Sequence, residues 1–140
     1  MKNTITRWMI AAAALAAVAG SAAAQTYKAE IPLSFRVRDK LMRPGSYRID
    51  LGKMSASGSF YLYNEDTKAS VSAVALRSGG VSKAWREGAA PVLAFRCEAN
   101  VCALDRMWNG SDTFAYRFSG ARMGDDVRIA VVALTPVKGD

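Results

Sequence analysis

Few residues in this chain have the types and spacing that chemistry needs. There are two cysteines, Cys97 and Cys102, and no histidine. Without an imidazole, the usual general base near neutral pH is missing. The cysteine spacing is not the Cys-x-x-Cys of redox motifs. An even pair in an oxidising compartment reads as a disulfide, which removes the thiol as a nucleophile. Ser82 and Lys83 are adjacent and lack Ser-x-x-Lys spacing on a helix, so they do not form a nucleophile–base pair. Paired carboxylates would do glycosidase-like work only if two met in one cleft. Glu65, Asp66, Asp112, Asp125 and Asp126 fall instead in stretches that read as turns. Asp125-Asp126 offers too few oxygens in a short window for a Ca²⁺ loop. No His/Cys cluster suits a transition metal, and no glycine-rich loop leads into a phosphate-binding lysine. The expectation is a protein that is not an enzyme and holds no metal and no cofactor.

Positive charge is the other candidate chemistry. Arg36, Arg38, Lys40, Arg43 and Arg48 cluster within Ile31 to Leu51, which reads IPLSFRVRDKLMRPGSYRIDL. There Ile31, Leu33, Phe35 and Val37 alternate with Pro32, Ser34, Arg36 and Arg38. Tyr47, Ile49 and Leu51 alternate with Arg48 and Asp50. Period two predicts two half-buried strands, and Pro44-Gly45 supplies the turn. If Val37 pairs with Tyr47, Arg36 stands opposite Arg48. Like charges in direct opposition are unfavourable unless something neutralises them. Asp50, a diagonal neighbour, could do so, and so could a bound anion. The five cations are therefore the candidate anion-binding residues.

The rest of the chain continues the pattern. Ser59–Tyr63 is a short aromatic strand closed by the turn cluster Asn64–Thr67. Lys68–Leu76 reads as the fourth strand, with a short helix as the alternative because alanine is a weak strand former. Ser78–Ala90 is glycine-containing and irregular, a long loop around Trp85. This tryptophan is expected to cap one end of the core, with a ligand contact as its other reading. Pro91–Cys97 and Cys102–Trp108 form a hairpin over the loop Glu98–Val101. Pairing Cys97 with Cys102 sets Phe95 against Leu104 and gathers Leu93, Phe95, Cys97, Cys102 and Leu104 on one face. The cysteines and the alternation thus demand the same register. Phe114–Phe118 alternates again. Val127–Pro136 is apolar on both faces beyond Arg128, which suits a sheet interior or a barrel seam. About eight strands predict an all-β fold, either a small antiparallel β-sandwich or a closed or partly closed β-barrel.

The first residues carry an address. Lys2 and Arg7 precede the apolar run Trp8–Val18, and Ala22-Ala23-Ala24 offers a small-residue cleavage site before Gln25. This predicts a signal peptide over residues 1–24 and a single β domain over 25–140. Losing Lys2 and Arg7 lowers the formal net charge from +7 to +5. No apolar run in the remainder is long enough to span a bilayer as a helix. Most predicted strands are also too short for a transmembrane barrel. A periplasmic or secreted location is expected. The partners to expect are an anionic envelope surface or another envelope protein, and not nucleic acid.

Pro32-Leu33-Ser34-Phe35-Arg36-Val37 and Pro44-Gly45-Ser46-Tyr47-Arg48-Ile49 resemble the opening of small exported bacterial β-proteins of unknown function. Those read P-F-x-F-x-V, then L-P-A-G-x-Y-x-V. Here Leu33 replaces a frequent Phe, and no Ala separates Pro44 from Gly45. Met107-Trp108 is similar to a later aromatic pair. Beyond Trp108 the chain departs, with the apolar strand Val127–Pro136 where a charged tail is common. The resemblance implies an exported β fold and no known activity.

The functional expectation is a non-catalytic exported domain that acts by binding or structural association in the cell envelope. The alternative is a carrier of a small apolar or lipid ligand inside a barrel, with Ser78–Ala90 as lid and Tyr61, Tyr63 and Trp85 at the mouth.

Overall fold

The computed structural model describes residues 26–52, 54–119 and 127–137. The signal-peptide segment and Asp125-Asp126 lie outside the described residues. Among the described residues there are eleven strands: β1 (Thr26–Ile31), β2 (Phe35–Val37), β3 (Lys40–Met42), β4 (Gly45–Asp50), β5 (Ser59–Asn64), β6 (Ser70–Gly80), β7 (Val92–Glu98), β8 (Val101–Trp108), β9 (Phe114–Phe118), β10 (Arg128–Ala133) and β11 (Thr135–Pro136). Two short helices join them, α1 (Met54–Ser57) and α2 (Lys83–Gly88).

The strands follow one path, β10-β7-β8-β9-β6-β5-β4-β1-β11, with β2 and β3 attached beside β8. The path makes two layers. Sheet A holds β11, β1, β4, β5 and the first half of β6; sheet B holds the second half of β6 with β9, β8, β7, β10, β2 and β3. Strands that change sheets form the corners of such sandwiches. Here β6 pairs β5 through Val74 and β9 from Ala75 onward. At the other corner only Leu134 separates β10, which pairs β7, from β11, which pairs β1. The sheet thus returns on itself without closing into a barrel, and the all-β sandwich expectation holds.

The count exceeds eight because two expected strands divide and a third forms inside an expected turn. Pro32 has no N–H to donate to a ladder, and Pro32–Ser34 breaks β1 from β2. The segment expected to connect the first two strands contains β3. Arg38, at φ 57°, turns the chain between β2 and β3. Val37 accordingly pairs with Lys40, while Tyr47 pairs with Ala29 and Asn64. Pro44-Gly45 does not close a Val37–Tyr47 hairpin; Gly45 begins β4 opposite Ile31.

The cysteine hairpin keeps its expected register at the tip, with Cys97 opposite Cys102 and Phe95 opposite Leu104. The connection is tighter than expected, because Glu98 pairs with Val101 and leaves Ala99-Asn100 as the turn. Asp105 is an extra residue that shifts the ladder, so Leu93 meets Met107. A bulge of this kind adds twist and leaves both flanking apolar residues facing inward. Leu93, Phe95 and Met107 are fully buried.

Between the sheets, aromatic rings join the layers. Phe35 on sheet B lies 5.5 Å from the Tyr47 ring on sheet A and 4.9 Å from Phe95. Phe60 on sheet A lies 4.9 Å from Phe118 on sheet B. Ile31, Ile49, Leu62 and Leu134 complete the filling. Removing one such ring to alanine costs about 3–5 kcal/mol. The fourth expected strand forms as strand and not helix, beginning at Ser70 because Lys68, at φ 65°, still belongs to the turn. Ser78–Ala90 is more regular than a loop: β6 runs to Gly80, and Ser82 caps α2 by accepting from the Trp85 N–H at 3.3 Å.

Candidate functional site: an arginine-rich sheet face

The five cations of the opening segment do not form one group. Arg36 on β2 faces Leu41 and Ala103, whereas Arg48 on β4 faces Lys28 and Tyr63 in the other sheet. The expected Arg36–Arg48 opposition is therefore absent: it assumed an unbroken first strand, and the break at Pro32–Ser34 places the two residues in different sheets. Arg48 pairs instead with Glu65 at 3.5 Å. Lys40 donates through Nζ to the Ser70 carbonyl at 2.6 Å. The Arg43 carbonyl accepts from the Tyr47 hydroxyl and from Asn64 Nδ2. Arg38 sits in its turn, on the wall of a cleft of about 220 Å³.

Arg36 does meet other arginines, far from it in sequence. The ladders of sheet B define two rows on its outward face. One runs Leu41, Arg36, Ala103, Arg96, Ile129. The next runs Leu76, Arg117, Arg106, Ala94, Val131. Each crosses five strands, about 19 Å at the usual strand spacing. Each has two arginines in its middle beside a small buried alanine, and an exposed apolar side chain at both ends. Leu76, Ile129 and Leu41 are 73%, 56% and 54% exposed.

Among the described residues the arginines of this face have no ion pair; the pairs present are Arg48–Glu65 and Lys83–Glu87. Arg106 and Arg117 stand directly opposite each other, an arrangement that costs stability. Arg106 turns aside: it donates to the Gly80 carbonyl at 3.1 Å, and its guanidinium lies 5.4 Å from the Trp85 ring centre. The Nε atoms of Arg96 and Arg106 are buried without a hydrogen-bond partner. Glu98, opposite Val101 at the hairpin tip, has a partner of its own. Sheet A's outward face differs. There Lys28 and Arg48 are interspersed with Glu30 and Asp50, and Glu65 lies beside them.

No family model, curated protein or solved structure matches the chain.

The other expected site residues are dispersed. Tyr61 and Tyr63 lie on the outward side of β5, beside Asp50 and Arg48. Trp85 packs against Val81, Val92 and Trp108 on the outside of sheet B. It covers a small satellite cluster, not an end of the main core. None of the three lines either described cleft. The larger cleft, about 480 Å³, opens beside the Cys97–Cys102 disulfide and is lined by Leu33, Ser34, Ala99, Asn100 and Ala130.

Two of the expected turn carboxylates serve their turns. Asp66 accepts from the Ser46 N–H at 3.0 Å, and Asp112 accepts from Asn109 Nδ2 at 2.8 Å. Among the described residues no group of three metal-ligating side chains comes together. Asn64, buried and overlooked in the sequence, ties one end of sheet A. Its Oδ1 accepts from the Asp66 and Thr67 N–H groups at 2.9 and 3.1 Å, and its Nδ2 donates to the Arg43 carbonyl at 3.2 Å. Burial raises the Tyr47 pKa, and its hydrogen bond with Asn64 opposes that rise. The Asn-Glu-Asp-Thr turn signal marked this place without revealing that the asparagine faces inward.

Proposed function

We propose that the protein is an exported, non-catalytic domain that acts by binding in the cell envelope, through the outward face of sheet B. The observation that carries this reading is the pair of rows in which four arginines meet with no ion pair to a carboxylate among the described residues. Self-repulsion on a folded surface is unfavourable and is relieved when an anionic partner arrives. The address follows from the leader pattern of residues 1–24, the disulfide, and the resemblance of the opening segment to small exported bacterial β-proteins. No helix among the described residues is long and apolar enough to cross a membrane.

The test is fractionation of cells that express the full sequence. The expected result is a chain beginning at Gln25, without free thiol, recovered outside the cytoplasm and bound to the envelope. Replacing Arg36 and Arg117 by glutamine should release it, and replacing Lys28 and Arg48 on sheet A should not. Retention of the Arg36/Arg117 variant would refute the role of the face. An uncleaved cytoplasmic chain would refute the address.

A second reading, a carrier of a small apolar ligand, is favoured by the cleft beside the disulfide. Its place would be that cleft, since Phe35, Tyr47, Phe60 and Phe95 occupy the space between the sheets. Native mass spectra showing one bound lipid per chain would support it.

A further inference from the structure

We propose that the partner of this face is the surface of an anionic lipid bilayer, on which sheet B lies flat. The inference rests on the binding reading above and names its ligand. A binding site for a single small anion would converge its donors on one point. Here the arginine positions are spread over two adjacent rows, roughly 10 Å across at ordinary strand spacings. The charge complement must therefore be an extended array of anions.

The ends of the rows choose among such arrays. Leu41, Leu76, Ile129 and Val131 are all exposed on this outward face and bracket the charges on both sides. An acidic polymer in water gains nothing from meeting four aliphatic side chains. A bilayer does, because its phosphates lie above acyl chains. Guanidinium groups can engage the phosphates while the flanking side chains enter the apolar boundary. Arginine stems laid beside Ala94 and Ala103 are suited to this, with apolar stems on the sheet and charged heads outward. Trp85, half-buried at the margin under Arg106, adds an aromatic of the kind found at membrane interfaces. Docking needs no hinge or insertion of backbone, since the ladder hydrogen bonds stay paired.

The test is co-sedimentation of the protein, expressed from its full sequence and with its N-terminus read by mass spectrometry. The vesicles are phosphatidylglycerol and phosphatidylcholine in equal parts, or phosphatidylcholine alone. Binding is expected only to the mixed vesicles and should fall steeply with salt. Arg36→Gln with Arg117→Gln, both at exposed positions, should weaken partitioning by about thirty-fold, at the usual contribution of a basic residue near an anionic surface. Ile129→Thr with Val131→Thr, which keeps strand propensity, should weaken it several-fold at constant charge. Lys28→Gln with Arg48→Gln should change it less than either.

Equal binding to both vesicle types overturns the proposal. So does equal loss in the sheet A variant, which would mean attraction by net charge alone. Polyglutamate binding that needs the arginines but ignores Ile129 and Val131, with no vesicle binding, would assign an acidic polymer instead. Inorganic phosphate displacing the vesicles at millimolar concentration without a matching ionic-strength effect would assign a single-anion site. In these last two outcomes envelope retention in the fractionation experiment would still depend on Arg36 and Arg117, so the binding reading would survive its lipid assignment.

Discussion

Arg117→Gln should make the protein more stable. Arg117 is exposed and registered against Arg106, which is half-buried. Cross-strand partners in direct opposition have Cβ atoms about 5 Å apart, and long side chains that diverge place their heads at roughly 7 Å. Coulomb's law then gives about 0.6 kcal/mol in water and about 2.4 kcal/mol at an effective dielectric constant of 20. Arg106 leans toward the Gly80 carbonyl and the Trp85 ring, away from its neighbour. The lower end applies, and about 0.5–1 kcal/mol should be recovered. That raises the melting temperature by about 2–6 °C in a domain of this size. The assay is urea unfolding at about 10 mM and about 1 M salt, where the screening lengths are roughly 30 and 3 Å. The gain should be present at low salt and vanish at high salt. As a control, Arg48→Gln loses the half-exposed pair with Glu65, whose Oε1 is buried, and should be destabilising. If Arg117→Gln is no more stable than the parent at low salt, or its gain is independent of salt, the opposition carries no energy and no longer marks the face.

Three further outcomes test the scaffold. Asn64→Ala removes three hydrogen bonds that tie the β5 end to Arg43 and the following turn, and should cost about 2–4 kcal/mol in chemical denaturation. Tyr47 has its pKa raised by burial above the ordinary tyrosine value of 10.0. Its contribution is complete below about pH 10 and is lost as pH rises through the folded-state value, so Tyr47→Phe should flatten the alkaline arm of a stability–pH curve. Gly58 has φ +72°, and a Cβ there would sit 2.3 Å from the Ala75 carbonyl oxygen; Gly58→Ala should cost at least about 2 kcal/mol, read as a lowered urea midpoint.

Local pattern made much of the fold legible. Alternation in β4, β5 and β9 is set by residues two apart, and the structure keeps the faces it implies. The cysteines fix the tip of the β7–β8 hairpin as far as Phe95–Leu104. Beyond that point Asp105 bulges, which no residue type announces, because the shift is needed to bring Met107 inward beside Leu93. The opening segment misled for a physical reason present in its letters. Pro32 was compatible with a strand start, and the alternation on either side of it looked continuous. The missing N–H decides otherwise, and the chain spends Phe35–Met42 as a separate hairpin packed on the other sheet.

Of the candidate face only Arg36 is legible in the sequence, and the cause is topological. Arg36, Arg96, Arg106 and Arg117 lie in β2, β7, β8 and β9, and only the parallel contact of β2 with β8 brings the first to the others. No sequence window contains the cluster. The window that did contain five cations, residues 36 to 48, is divided between two sheets and a turn. Linear charge density pointed to anion binding through residues that the fold then separates.

The two outward faces of the same sandwich supply an internal control on the meaning of that cluster. Sheet A also sets two cations, Lys28 and Arg48, directly opposite each other, but there Glu30 and Asp50 are interspersed and Arg48 has found Glu65. On sheet B the opposed Arg106 and Arg117 have no ion pair among the described residues. A position that lowers stability is retained either because it is too mild to matter or because another property needs it. The alternatives differ in sign for one substitution. If the face is only solvated, Arg117→Gln gains stability at low salt and loses nothing else. If the face binds an anionic surface, the same variant gains stability and loses partitioning, and adding anionic vesicles reverses the order of stability, because binding stabilises the parent more than the variant. That crossing of two unfolding curves, with and without vesicles, separates a functional patch from a tolerated one even before the natural ligand is identified.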